Sequence, residues 1–242
     1  FAQTGSLAVG ANPRHVAIAG DGASAYVSRF ITPPAPGESG ATPGNGNGEL
    51  LQLATGTLGL VRTIALATSS KPDFENQGRG LPNYLGAAAI SPDGTAAWVP
   101  SKQDNIQRGG ARDGLPLNFQ NTVRAISSRV LLATGTEDGP GRIDHDNSSL
   151  ASAATFDPLG LYLFVALETS REVAVVDAHG KRELFRFATG LAPQGLAVAP
   201  DGQTLYVQNF MDRTVNVHDL RPLAAGQFAA PLAATLASIG SE

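Results

Sequence analysis

"ISPDGTAAWVPSKQDN", residues 90–105, decides how this chain reads. Ile90 leads into Ser-Pro-Asp-Gly, and a β-rich run follows that ends in polar residues. Pro92 stops one strand, Asp93-Gly94 supplies the positive φ of a tight turn, and a second strand begins near Ala96. Two such runs around such a pair predict an antiparallel hairpin. The phrase recurs at uneven distances. Residues 12–29 read "NPRHVAIAGDGASAYVSR", 82–101 "PNYLGAAAISPDGTAAWVPS", 150–168 "LASAATFDPLGLYLFVALE" and 193–209 "PQGLAVAPDGQTLYVQN". Each second strand carries an aromatic residue followed by Val: Tyr26-Val27, Trp98-Val99, Phe164-Val165 and Tyr206-Val207. In the third copy Asp157-Pro158-Leu159-Gly160 replaces Pro-Asp-Gly, which predicts a longer form of the turn.

Further strands follow each hairpin. "REVAVVDAHGKRELFRFATG" (171–190) alternates, turns at His179-Gly180 and returns. "RTVNVHDL" (213–220), "NTVRAIS" (121–127) and "GELLQLATG" (48–56) fill the third slot of the other copies. Each unit is thus four short antiparallel strands, named a to d below. One such sheet cannot cover both of its faces, whereas radially stacked neighbours cover one another. The predicted fold is all-β, a β-propeller of four-stranded blades at about 11–66, 82–136, 149–190 and 191–240. "GSLAVG" (5–10) is expected to be an orphan d strand of a preceding or closing blade, and "PLAATLASIG" (231–240) the last d strand. That tally favours further blades upstream in a parent protein over a closed four-blade ring. The start at Phe1, without Met or an apolar leader, reads as a processed or excised piece.

Bulk composition narrows the function classes. The chain has 242 residues, 42% of them hydrophobic and 16% charged, which is globular rather than disordered. Its net charge of −4 gives no general attraction to nucleic acid or anionic membrane. No apolar stretch reaches the roughly 18 residues of a membrane span. With no Cys there are no disulfides, thiolate metal sites, nucleophilic Cys or C-x-x-C-H haem attachment within the chain. Gly 28 and Pro 16 point to many turns.

Candidate chemistry lies in the insertions: 31–48, 67–81, 102–120 and 137–149. Asp144, His145 and Asp146 are consecutive, with Glu137 and Asp138 just upstream. On a loop they offer oxygens to Ca²⁺ or an imidazole to a transition metal, though the run lacks the Gly and Glu of an EF-hand. The competing reading is a loop whose Asp residues cap turns and whose His points to solvent. Arg14 and His15 begin an a strand, which lines the channel of a propeller, so both are candidates for a ligand or partner at its mouth. Asp104, Arg108, Arg112 and Asp113 form either a loop-pinning ion-pair network or a partner-docking surface. His179 and His218 are expected on the surface. No G-x-S-x-G nucleophile elbow occurs, "GESG" (37–40) being one residue short. The residues assign no catalytic group.

"PDGQTLYVQNFMDRTVNVHDL" and "VALETSREVAVVDAHGKRELFRFATGLAPQGLAVAPDG" resemble YVTN-type β-propeller repeats of bacterial secreted proteins, most clearly over 150–220. "RGLPNYLGAAAISPDGTAAWVPSKQDNIQRG" followed by "NTVRAISSRV" resembles a blade of the propeller that precedes a di-haem cytochrome c peroxidase-like domain. The tail "TLASIGSE" resembles the strand leading into that domain. The resemblance implies a periplasmic or extracellular setting and a haem-bearing partner or domain, with no cofactor in this chain. The leading expectation is a non-catalytic binding or scaffold module that docks a redox partner through loops 67–81, 102–120 and 137–149. The alternatives are a propeller lactonase or metal-assisted hydrolase acting at the channel mouth, and a structural cell-surface repeat protein.

Overall fold

The computed structural model describes residues 2–3, 5–32, 47–105, 114, 116 and 122–237. The first sheet is β1 (Pro13–Ile18), β2 (Ser24–Arg29), β3 (Gly48–Ala54) and β4 (Gly59–Leu66), antiparallel and in chain order. The third is β12 (Ala151–Phe156), β13 (Tyr162–Leu167), β14 (Glu172–Asp177) and β15 (Arg182–Ala188). The fourth is β16 (Pro193–Val198), β17 (Thr204–Asn209), β18 (Thr214–Asp219) and β19 (Leu232–Ala237), with one helical turn, α1 (Arg221–Ala224), between its last two strands. These are blades of a β-propeller, as the repeat predicts.

The hairpin turns share one geometry. Gly22, Gly94, Gly160 and Gly202 have φ between +68° and +71°, where an L side chain is strained. Each donates its N–H to the carbonyl three residues earlier: Ala19, Ser91, Asp157 and Ala199. In three copies the Asp before the glycine accepts the N–H two residues on: Asp21 from Ala23, Asp93 from Thr95 and Asp201 from Gln203. The third turn is not longer, contrary to the sequence expectation. Asp157 has moved to its first position, where it accepts from Leu159 N at 3.1 Å and Tyr162 N at 2.6 Å. A carboxylate at either position satisfies the turn's amides.

The second sheet is the irregular one. It holds β5 (Ser69–Phe74), β6 (Gln77–Asn83), β7 (Ala89–Ile90), β8 (Ala96–Asp104), β9 (Val123–Leu131), β10 (Thr136–Glu137) and β11 (Ile143–His145). The a position is the two-residue β7, while β6 pairs with the far end of β8. Segment 67–81 is therefore mostly hairpin, not irregular loop. The d position is β10 and β11, two pieces on β9 separated by a 3₁₀ turn at Gly139–Gly141. Segment 137–149 is likewise partly strand. Residues 5–10 form no strand; next to them, Ala11 O accepts Arg29 Nε at 2.9 Å.

Three cores lie between successive blades. Tyr26, Leu50 and Ile64 meet Ala97, Val99 and Val130 in the first. Trp98 and Ile143 meet Leu163 and Val165 in the second. Phe164, Val173 and Val175 meet Leu205 and Val207 in the third. The a strands converge, β1 on β7, β7 on β12 and β12 on β16. Their small residues (Ala17, Ala89, Ala154, Ala197) suit that crowded hub. Gly86 shows how close the approach is: a Cβ there would lie 2.7 Å from the Ser152 carbonyl oxygen.

Candidate binding site at the channel mouth

The turn glycines also set the phase of the site. Eight residues before them stand Arg14, Gly86, Ser152 and Gln194; eight after stand Phe30, Lys102, Glu168 and Phe210. All but Phe210 line one cavity of about 630 Å³ at the hub. Three blades thus deliver both positions to one mouth and the fourth delivers one, because equal numbers of extended residues counted from equal turns end at similar depth.

An aromatic pair braces one side. The Phe30 and Tyr84 rings are 4.7 Å apart between centroids. Arg14 lies 4.0 Å over the Phe30 ring and Lys102 3.9 Å over that of Tyr84, so each cation rests on a π face. Lys102 Nζ also meets Asp104 at 3.1 Å, and Asp104 accepts Asn83 Nδ2 at 3.0 Å. Asn83 Oδ1 in turn accepts the N–H groups of Thr32 and Tyr84. Tyr84 sits at φ +50°, a conformation that costs about 1–2 kcal/mol and is held here by that side-chain bond. His15 lines the cavity half-buried. Burial, then the neighbouring Arg14 charge, holds its pKa below the ordinary histidine value, so it is neutral at pH 7. Glu168 supplies a carboxylate from the third blade. The mouth presents both signs of charge on a pre-braced aromatic floor.

The structure brings Arg14, His15 and Asp104 together at this mouth, three of the partner-binding residues expected from sequence. Asp104 lies at the end of β8, paired with Lys102. Arg108, Arg112 and Asp113 lie outside the described residues. Tyr84, Phe30, Lys102 and Glu168 escaped the sequence reading, although the repeat offset from the turn glycines singles out the last three.

Asp144, His145 and Asp146 are divided by strand alternation. Asp144 and Asp146 share Arg124, at 2.9 and 3.0 Å, and Asp146 also accepts Asn76 N at 2.6 Å from the β5–β6 turn. Burial pushes the Asp144 carboxyl up to about 6, against the pull of Arg124. His145 points to the other face. Its Nε2 lies 2.9 Å from Ser127 Oγ and its Nδ1 2.7 Å from Glu183 Oε2 of the third blade. A guanidinium already sits between the two carboxylates, so this donor set does not fit a cation. Among the described residues no group of three His, Asp or Glu side chains is placed to hold a metal. Glu137 pairs with Arg142, and Asp138 with Arg129 and Lys181.

Ser127, His145 and Glu183 stand in the hydrogen-bonding order of a nucleophile, base and acid. Ser127 and His145 are fully buried between blades, however, and neither lines the channel-mouth cavity. Arg186 holds Glu183 at 2.6 Å. Burial raises the Glu183 pKa, but the bonds and charges of His145 and Arg186 outweigh it and hold the carboxyl below its usual range. The three residues act as a polar strut that ties the outer edges of blades two and three. His218, expected on the surface, is also buried. It packs on the Phe187 ring at 4.5 Å and bonds Ala230 O through Nδ1 at 2.9 Å. Its strand places it on the blade-facing side, which the single-letter pattern around it did not reveal.

The fold is that of a β-propeller, with a cavity at the hub lined from all four of its blades. No family model and no curated protein matches the sequence. Solved structures share the fold. Hydrazine synthase of Kuenenia stuttgartiensis superposes with a TM-score of 0.60 at 15% identity, over 86% of this chain and 58% of that one. A functionally unknown protein of Desulfotomaculum acetoxidans DSM 771 gives 0.57 at 16%, over 91% and 55%. U3-55K gives 0.58 at 10%, over 91% and 51%. This chain therefore spans just over half the length of each. At such identities the likeness establishes the fold and nothing finer.

Proposed function

We propose that the chain is a non-catalytic binding and scaffold module of an exported bacterial protein. It docks a haem-bearing, cytochrome c-like partner or domain at the channel mouth. The observation that carries this reading is the convergence of Arg14, His15, Lys102, Asp104 and Glu168 from three blades around the Phe30–Tyr84 pair. Partner surfaces are recognised by such preformed aromatic anchors inside a charged rim. The resemblance of 79–109 and 121–130 to a blade of propellers that precede haem domains supports the choice of partner, and that of 150–220 to repeats of bacterial secreted proteins supports the periplasmic or extracellular setting.

Calorimetric titration of the chain with a soluble bacterial c-type cytochrome tests it. Binding is expected at 20 mM salt, weakening as salt rises. Arg14→Glu and Glu168→Lys are expected to shift affinity in opposite directions, roughly tenfold each, since they change the mouth's charge with opposite sign. Absence of heat at low salt, or equal affinity for wild type and both variants, would overturn the reading.

A further inference from the structure

Two charges at the channel mouth stand without a counter-charge. Among the described residues, neither the Arg14 guanidinium nor the Glu168 carboxylate forms an ion pair or a side-chain hydrogen bond. Arg14 rests on the Phe30 ring beside the neutral His15. The other charged pair of the lining is satisfied: Lys102 and Asp104 are 3.1 Å apart, with Lys102 held over Tyr84 and Asp104 held by Asn83. Single exposed charges are ordinary on a protein surface. These two come from different blades, carry opposite signs and line the same cavity of about 630 Å³.

The repeat explains the space between them. Arg14 stands eight residues before the turn glycine of blade one, and Glu168 eight after that of blade three. Blade two's counterpart of Arg14 is Gly86, where a Cβ would lie 2.7 Å from the Ser152 carbonyl oxygen. Blade two therefore puts backbone, not a side chain, at this point of the mouth. The charges on the described lining balance and His15 is neutral, so the mouth selects neither a simple anion nor a simple cation. A molecule with one end of each sign satisfies both free groups at once. His15 and Gln194 add neutral polar groups, and Val123 and Leu150 add apolar surface. That mixture suits an amide bearing an apolar side chain.

We propose that the mouth binds a short zwitterionic peptide, its C-terminal carboxylate on Arg14 and its N-terminal ammonium on Glu168. The planar guanidinium matches a carboxylate in two parallel hydrogen bonds, and the Glu168 carboxylate accepts from the ammonium at the other end. An extended dipeptide reaches about 7 Å and a tripeptide about 10 Å, lengths that a cavity of this volume admits. In a free amino acid both charged groups share one carbon and do not separate to follow two blades. The inference rests on the reading of the mouth as a binding site and not on the partner named for it, since the peptide needs no cytochrome.

Calorimetric titration of the chain with Ala-Phe at pH 7 and low salt tests it. Ala-Phe is expected to bind. N-acetyl-Ala-Phe, Ala-Phe amide and phenylalanine are each expected to bind roughly tenfold more weakly, because each leaves one of the two charges unmatched. Arg14→Gln is expected to abolish the preference for Ala-Phe over its amide while keeping the preference over the acetylated peptide. Glu168→Gln is expected to do the reverse. Absence of heat with Ala-Phe up to about 10 mM would overturn the inference. So would blocked peptides or phenylalanine that bind wild type as tightly as Ala-Phe, or preferences left intact in both variants. Cytochrome binding without Ala-Phe binding would remove this inference alone, and Ala-Phe binding without cytochrome binding would remove the docking proposal alone.

Discussion

Asp144 offers a direct test of how the second blade tolerates buried charge. Its side chain is 7% exposed, one oxygen faces Arg124 at 2.9 Å, and the other has no hydrogen-bond partner. Desolvation raises its pKa from 3.8 to about 6, so the native state holds the proton more tightly than the unfolded chain. Stability from this group is complete below pH 4 and is lost as pH rises through 6. By linkage the difference is about 2.4 kcal/mol between pH 4 and pH 7. Asp144→Asn removes the titration while nearly preserving shape. It also weakens the hold on Arg124, which adds an offset that pH does not change. Trp98, the single tryptophan and fully buried, reports unfolding in urea by fluorescence. The unfolding free energy of wild type minus that of the variant should fall by about 2.4 kcal/mol between pH 4 and pH 7. A difference constant within about 0.5 kcal/mol across that range would refute the argument that desolvation outweighs Arg124.

Two further outcomes follow from packing. Gly86→Ala should destabilise the chain by about 1–3 kcal/mol in the same urea assay, since its methyl would press on the Ser152 carbonyl where two blades meet at the hub. Phe164→Ala, at the centre of the third inter-blade core, should cost about 3–5 kcal/mol and lower the thermal midpoint accordingly.

The hairpins were legible because their cause is local. Pro-Asp-Gly or Asp-Pro-Leu-Gly encodes the turn within four residues, and the alternation after it encodes which side chains share a face. The blade stack follows, since a sheet with two apolar faces must find neighbours. The second blade was harder to read because its a and d strands are broken. β7 is two residues long and β10–β11 is split by Gly139–Gly141, so neither leaves a clear period. The mouth was half visible: Arg14 and His15 followed from strand order, whereas Tyr84 depends on an unusual φ and a bond from Asn83.

By itself, the sequence determined four strand–turn–strand units and the alternation of side chains along them, because turn chemistry and a two-residue period act over a few residues. Tertiary structure alone decided which polar groups are sheltered. His145 bonds Glu183, 38 residues on, and Arg124 reaches Asp144 and Asp146 from the neighbouring strand. Burial and pairing belong to groups brought together from distant positions, and no window along the chain contains both partners of such a contact.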